Sequence, residues 1–132
     1  MTRHQMRQYA FMLTFERIFN EDDIDSIIEL AKECETVEVN RQVLELFKGV
    51  DSKKEILDAE IEKHLKNWTL SRISKVSLAV LRVAMYEILY CDDIDIDVAI
   101  SEAVKIAQIY TMKEDVSFVN GVLSSVSKEH KK

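Results

Sequence analysis

Proline is absent from this chain of 132 residues, and glycine occurs only twice, at Gly49 and Gly121. Tight turns, bulges and hairpins draw on these two residues, so their scarcity argues against a sheet and for helices joined by short polar turns. It also removes the glycine-rich loops that cradle the phosphates of nucleotides and dinucleotides. The two cysteines, Cys34 and Cys91, belong to no CxxC pair. No apolar run is long enough to span a bilayer, and no apolar signal segment follows Met1. The expectation is a cytoplasmic protein with reduced thiols in its core. The three histidines, His4, His64 and His130, form no HExxH and share no metal-ligand spacing with a cysteine, and GxSxG is missing too. No catalytic residue, cofactor, metal or small-molecule substrate is expected. The chain reads as a binding protein rather than an enzyme.

What is present is 47% hydrophobic and 32% charged, the composition of a globular protein that can bury a core without metals or disulfides. One domain over residues 1–132 is expected. The net charge of −6 argues against non-specific attraction to nucleic acid. The charge is uneven, however: residues 1–17 carry Arg3, Arg7 and Arg17 against Glu16 alone, a net +2 that leaves −8 for the remainder. A basic terminus on an acidic body suits a local anionic contact.

Apolar periodicity predicts an all-α fold of about seven helices. The first runs from Arg3 to Phe19, with Asn20 and Asp22 punctuating the turn after it. The second runs from Asp23 to Cys34, with Ile24, Ile27, Ile28 and Ala31 on one face, and the third from Asn40 to Val50. Ser52-Lys53-Lys54-Glu55 is a capping-box pattern that should open a fourth, carrying Ile56, Ile61 and Leu65. The fifth runs from Ser71 to Tyr90 and is apolar almost all round, with only Arg82 and Glu87 charged between Leu78 and Leu89. Such a helix is central and buried. The sixth covers Asp97 to Tyr110, and a second capping-box pattern, Thr111-Met112-Lys113-Glu114, opens a seventh that reaches Lys128. Ile94, Ile96 and Val98 alternate with Asp95 and Asp97 as in a strand, but no partner strand exists, so a turn into the sixth helix is expected. Lys128 to Lys132 read as a frayed basic tail.

Three features stand out. Arg3, Arg7, Ala10, Thr14 and Arg17 line one stripe of the first helix, while Met6, Tyr9 and Leu13 form a second stripe that should face the core. The arginine stripe is either a solvated face or a track for phosphates, to which guanidinium groups are suited. Phe118 sits about 110° from the stripe of Val116, Val119, Leu123 and Val126 on the helical wheel. Its ring either covers a neighbouring helix or offers a platform for an unstacked base or a partner side chain. Arg82 and Glu87 either pair internally or mark a contact with another protein, because a buried charge without a partner is costly.

Four ordered blocks carry a resemblance: Asn67-Trp68-Thr69-Leu70-Ser71-Arg72, the run Leu78-Ala79-Val80-Leu81-Arg82-Val83-Ala84-Met85-Tyr86-Glu87-Ile88-Leu89, the segment from Val98 to Ala107, and Phe118-Val119-Asn120-Gly121-Val122-Leu123. With Arg7-Gln8-Tyr9-Ala10 near the start, the chain resembles the bacterial transcription antitermination factor NusB family. The resemblance implies an all-α fold of two small helical subdomains. It also implies binding of the boxA element of nascent RNA together with a small-subunit ribosomal protein, NusE, in an RNA polymerase complex that reads through terminators, notably in ribosomal RNA operons. It places Arg3, His4, Arg7, Glu114 and Phe118 at the RNA, and Phe15, Arg82, Tyr86 and Glu87 at the ribosomal protein. The chain departs from the family in three places. His4 and Gln5 stand where arginine is frequent, Ser101 where asparagine is usual, and Asp93-Ile94-Asp95 where the family has Asp-Ile-Pro. At the last of these an aspartate can replace the stiff proline with an N-terminal cap. The thin arginine segment leaves a second reading open: a protein-only adaptor with this fold and little RNA affinity of its own.

Overall fold

Short polar side chains decide where most of the helices begin. In the computed structural model, which describes residues 1–21, 23–34 and 37–130, Thr2 opens α1 (Arg3–Phe19) with a reciprocal capping box. Its Oγ1 accepts from the Gln5 amide at 3.0 Å, and its own amide donates to the Gln5 side chain at 2.9 Å. Asp23 caps α2 (Ile24–Glu33), Asn40 caps α3 (Arg41–Ser52), Ser74 caps α5 (Lys75–Tyr90) and Asp95 caps α6 (Ile96–Tyr110). Each cap satisfies an amide that has no partner within its helix. Asp95 stands where the resembled family has proline, so the expected exchange of proline for a cap is what the chain uses. The alternating Ile94–Val98 stretch is a turn running into α6, and among the described residues there is no strand.

Both sequence-predicted capping boxes fail. Ser52 is the last residue of α3, and its hydroxyl donates back to the Gly49 carbonyl; α4 (Lys54–Glu62) follows Lys53 with no side-chain cap. Thr111 likewise donates to the Ala107 carbonyl at 2.6 Å, closing α6 instead of opening α7 (Lys113–His130). A serine or threonine hydroxyl at a helix end can serve the preceding helix as readily as the next one. The fifth helix starts at Lys75 rather than Ser71, because Leu70–Arg72 form a short 3-10 turn before it. α7 continues to His130, past the expected fraying point at Lys128, while Lys131, Lys132 and Asp22 lie outside the described residues. Cys34 is exposed and Cys91 half-buried, so neither is the core thiol expected.

Two apolar clusters hold the helices. The larger surrounds α5, whose Leu78, Ala79, Val80, Leu81, Val83, Ala84 and Met85 are all buried, and draws in Ala10 and Phe11 of α1, Leu57 and Ile61 of α4, Ala103 and Ile106 of α6, and Val119, Leu123 and Val126 of α7. In α4 the inward face is Leu57 and Ile61, four residues apart; Ile56, expected inside, is 49% exposed. The smaller cluster joins Leu13 of α1 to Ile27, Ile28 and Ala31 of α2 and Val43 and Phe47 of α3. α1 therefore belongs to both halves, with adjacent turns facing different cores. No helix among the described residues is long and apolar enough to cross a membrane.

The two glycines have opposite roles. Gly49, on α3, lies under the Tyr86 phenol ring of α5, and a methyl group there would overlap the ring and its oxygen. Gly121, on α7, has open space around its Cβ position. Gly49→Ala should therefore destabilise the fold by about 1–3 kcal/mol through overpacking. Gly121→Ala should stabilise it by up to about 1 kcal/mol through helix propensity. Urea denaturation of the two variants reads the opposite signs, and equal effects would refute this account.

Candidate nucleic-acid and partner interface

The arginine stripe of α1 turns inward after its first turn. Arg3 is exposed and stands 3.7 Å from Asp93. Arg7 is 3% exposed, and its Nε donates to both carboxylate oxygens of Glu87 on α5, at 2.9 and 2.8 Å. Ala10 and Thr14 follow it into the interior, with the Thr14 hydroxyl donating to the Ala10 carbonyl at 2.8 Å. Arg17 donates to Asp51 of α3 at 3.0 Å. Of the stripe that periodicity identified, Arg3 stays at the surface while Arg7, Ala10 and Thr14 are buried, with Arg7 facing the Glu87 carboxylate of α5.

The same bond realises the internal-pairing alternative for Glu87, which is 2% exposed with its carboxylate taken up by Arg7. Arg82 is also held internally, donating from Nε and Nη2 to the two oxygens of Asp58 on α4, each at 2.8 Å. The charges of α5 therefore fasten it to α1 and α4. Tyr86 is half-buried; its ring lies over Gly49 and meets the Tyr90 ring at a tilt of 31°, 5.3 Å between centroids. It shares a cleft of about 290 Å³ with Arg3, Met6, Leu46, Cys91 and Asp93. Phe15 packs near Phe11 and edge-on to Phe19, which is 63% exposed. It lines an apolar cavity of about 400 Å³ between α1 and α2, with Met12, Ile27, Leu30, Val76 and Tyr110 also in the wall.

His4 and Phe118 occupy separate places. The His4 Nδ1 meets Glu102 of α6, and Gln8 donates to the Tyr110 hydroxyl at 2.9 Å. Burial pushes the Glu102 carboxyl up, but the hydrogen bond to His4 and the charges of His4, Lys105 and Arg7 outweigh it and hold the group below 4.5. On α7, Glu114 is exposed and lies one turn before Phe118, on the same face. Phe118 is half-buried, with Trp68 packed edge to face against it at 6.2 Å and 69°. Trp68 is 52% exposed and follows Asn67, which has a φ of 64° and turns the chain there. Asparagine tolerates this left-handed region. Trp68 had no assigned role in the sequence, because periodicity does not reach across a loop. An open groove of about 810 Å³ runs along α6 and α7, lined by Lys105, Gln108, Asn120, Ser124 and Lys128 among others.

The NusB family model matches residues 4–128 of the chain. A transcription antitermination protein NusB from Oceanobacillus iheyensis is 38% identical over 126 residues, covering 96% of this chain and 98% of its own. Its counterpart from Acetivibrio thermocellus is 41% identical over 130 residues, with 97% and 90% covered. The chain belongs to the NusB family. The fold agrees: a crystal form of T. maritima NusB superposes with a TM-score of 0.86 at 34% identity, covering 100% of this chain and 94% of that one. A chain in the crystal structure of antitermination factors NusB and NusE in complex with dsRNA shares the fold, with a TM-score of 0.84 at 22% identity over 98% of this chain and 99% of that one. The four sequence blocks that resemble NusB thus fall on the loop before α5, on α5, on α6 and on α7.

The buried pair has a measurable consequence. Removing one partner strands the other charge, so Arg7→Ala should cost about 3–5 kcal/mol. Glu87→Lys should unfold the protein rather than act on a binding surface. Burial pushes the Glu87 carboxyl above 4.5, and Arg7 reverses this only in part. The folded protein therefore holds that proton more tightly than the unfolded chain. This contribution to stability is full below 4.5 and is lost as pH rises through the folded value. The stability of the native sequence relative to Glu87→Gln should fall as pH rises above 4.5. Denaturant titrations over a pH series check this, and a difference that grows with pH would show that Arg7, not burial, dominates.

Proposed function

We propose that this NusB-family chain is a transcription antitermination factor. It binds a boxA-type segment of nascent RNA jointly with the small-subunit ribosomal protein NusE. Within the RNA polymerase complex it promotes read-through of terminators, notably on ribosomal RNA operons. It works in the cytoplasm and by binding, with no catalytic step of its own. The observation that carries this reading is the end-to-end likeness, at 38% and 41% identity, to proteins named for antitermination.

The geometry supports a division of labour. Arg3 at the start of α1, with Lys105 and Lys128 in the α6–α7 groove, supplies cations to an RNA backbone, and His4 beside Arg3 offers a ring nitrogen for a polar contact. Phe118 and the exposed Trp68 supply a stacking edge for an unpaired base, with Glu114 one turn away. Phe15 at the apolar cavity and Tyr86 in its cleft offer the protein partner anchors of the kind that dominate interfaces. Arg82 and Glu87 serve this surface indirectly, by holding α5 in place.

A specific observation favours the adaptor reading as the alternative. Arg3 has Asp93 beside it, His4 and Lys105 both meet Glu102, and Arg7 is sealed by Glu87. Those cations are already answered by carboxylates, which limits their attraction for phosphate.

RNA binding by the complex with the ribosomal protein, measured at several salt concentrations, tests the reading. Arg3→Ala should weaken binding and flatten the plot of log affinity against log salt. Phe118→Ala and Trp68→Ala should each cost about 1–3 kcal/mol with little change in slope. The double variant should lose less than the sum, because the rings touch. If none of the three alters binding of a boxA-like RNA, the adaptor reading is the better one.

A further inference from the structure

At the far end of α7 from Phe118, side chains of α4 and α7 bring two carboxylates and two imidazoles together. Glu60, Glu129 and His130 each place a ligand atom within 4.8 Å of the others. His64, just past α4, lies behind them with its side chain 7% exposed. Its Nδ1 is held by the Ser125 hydroxyl at 2.8 Å, and its Nε2 stands 2.7 Å from Glu129 Oε2. The Nε2 of His130 is sealed from solvent and has no hydrogen-bond partner among the described residues. A buried imidazole nitrogen without a hydrogen bond, on a residue clustered with two carboxylates, is unusual, since buried polar atoms are nearly always bonded and costly when they are not.

A cation between these groups resolves that imbalance. Mixed imidazole and carboxylate donors suit zinc and its neighbours, whereas calcium and magnesium favour sites made of oxygen. We propose that Glu60, Glu129 and His130 bind a divalent transition metal, with Zn²⁺ the natural occupant, and that His64 orients Glu129 from behind. Ser125 in turn fixes the His64 ring, so the ligand carboxylate is supported through a chain of contacts of the kind that tunes metal sites. Lys63 pairs with Glu60 Oε1 at 2.7 Å but is 58% exposed, so it can swing into solvent when a metal arrives. The bound ion would staple the last turn of α7 to the end of α4, on the same turn that carries Lys128. None of this was visible in sequence, where residues 60, 64, 129 and 130 form no motif.

Calorimetric titration of ZnCl₂ into the untagged, chelator-stripped full chain tests the site. Saturable binding at a single site is expected, with no heat from Mg²⁺ or Ca²⁺ beyond dilution. His130→Ala and Glu60→Gln should each weaken it by about tenfold or more, while His4→Ala, which removes a histidine–carboxylate pair distant from this cluster, should leave it unchanged. Zinc should also raise the melting temperature of the native sequence and not that of His130→Ala. Both variants lie at helix ends, and circular dichroism verifies that they fold. Absence of saturable zinc binding overturns the proposal. So does binding that survives both ligand variants, which would place the metal elsewhere, for instance at the exposed Cys34 thiol.

Discussion

Arg7 and Glu87 are each almost sealed from solvent, and neither charge is tolerable there without the other. Their bond joins α1 to α5 across eighty positions of sequence and sets how α1 rotates. With Arg7 turned inward, Ala10 and Phe11 meet the core around α5, and Leu13 meets the smaller core formed with α2 and α3. The helix that links the two halves is thus oriented by a polar contact, while its apolar residues are shared between two clusters. Two further pairs follow the same pattern, Arg17 with Asp51 between α1 and α3 and Arg82 with Asp58 between α5 and α4.

This use of arginine inside the fold shapes what is left for binding. One turn before Arg7, Arg3 and His4 emerge at the surface beside α6 and the turn before it, but each arrives next to a carboxylate. A protein with net charge −6 and answered cations gains little from long-range attraction to RNA. Aromatic contact and a second protein then matter more. In the proposed role, the half-buried Phe118 against exposed Trp68 serves the first need, because stacking is little affected by salt. The apolar cavity beside Phe15 and the cleft under Tyr86 are the proposed answers to the second.

The placement of Phe118 shows how a surface aromatic is kept available. Its neighbours on α7, Val119 and Val122, are buried, so the helix is anchored from the other side. Trp68 reaches it from a loop turned by the left-handed Asn67. The ring is thereby braced by Trp68 and half-buried against the larger core.

Helix count, the centrality of α5 and the family were legible in the chain itself. These depend on local periodicity, on the lack of proline and glycine, and on blocks of residues adjacent in sequence. The odd residues Arg7, Arg82, Glu87 and Phe118 were also visible as departures from an apolar or polar pattern. Their roles were not. A helical wheel gives the angle between side chains on one helix but not which neighbour each angle faces, so an inward arginine and a phosphate-binding arginine look alike. The capping boxes misled for a similar reason, since Ser52 and Thr111 could serve either of two helices and the turn geometry chose the preceding one. Trp68 beside Phe118, the answered charges of His4 and Arg3, and the imidazole–carboxylate cluster at the end of α7 arise only when helices distant in sequence pack. Burial and electrostatic pairing are properties of that packing, and the tertiary structure alone decided them.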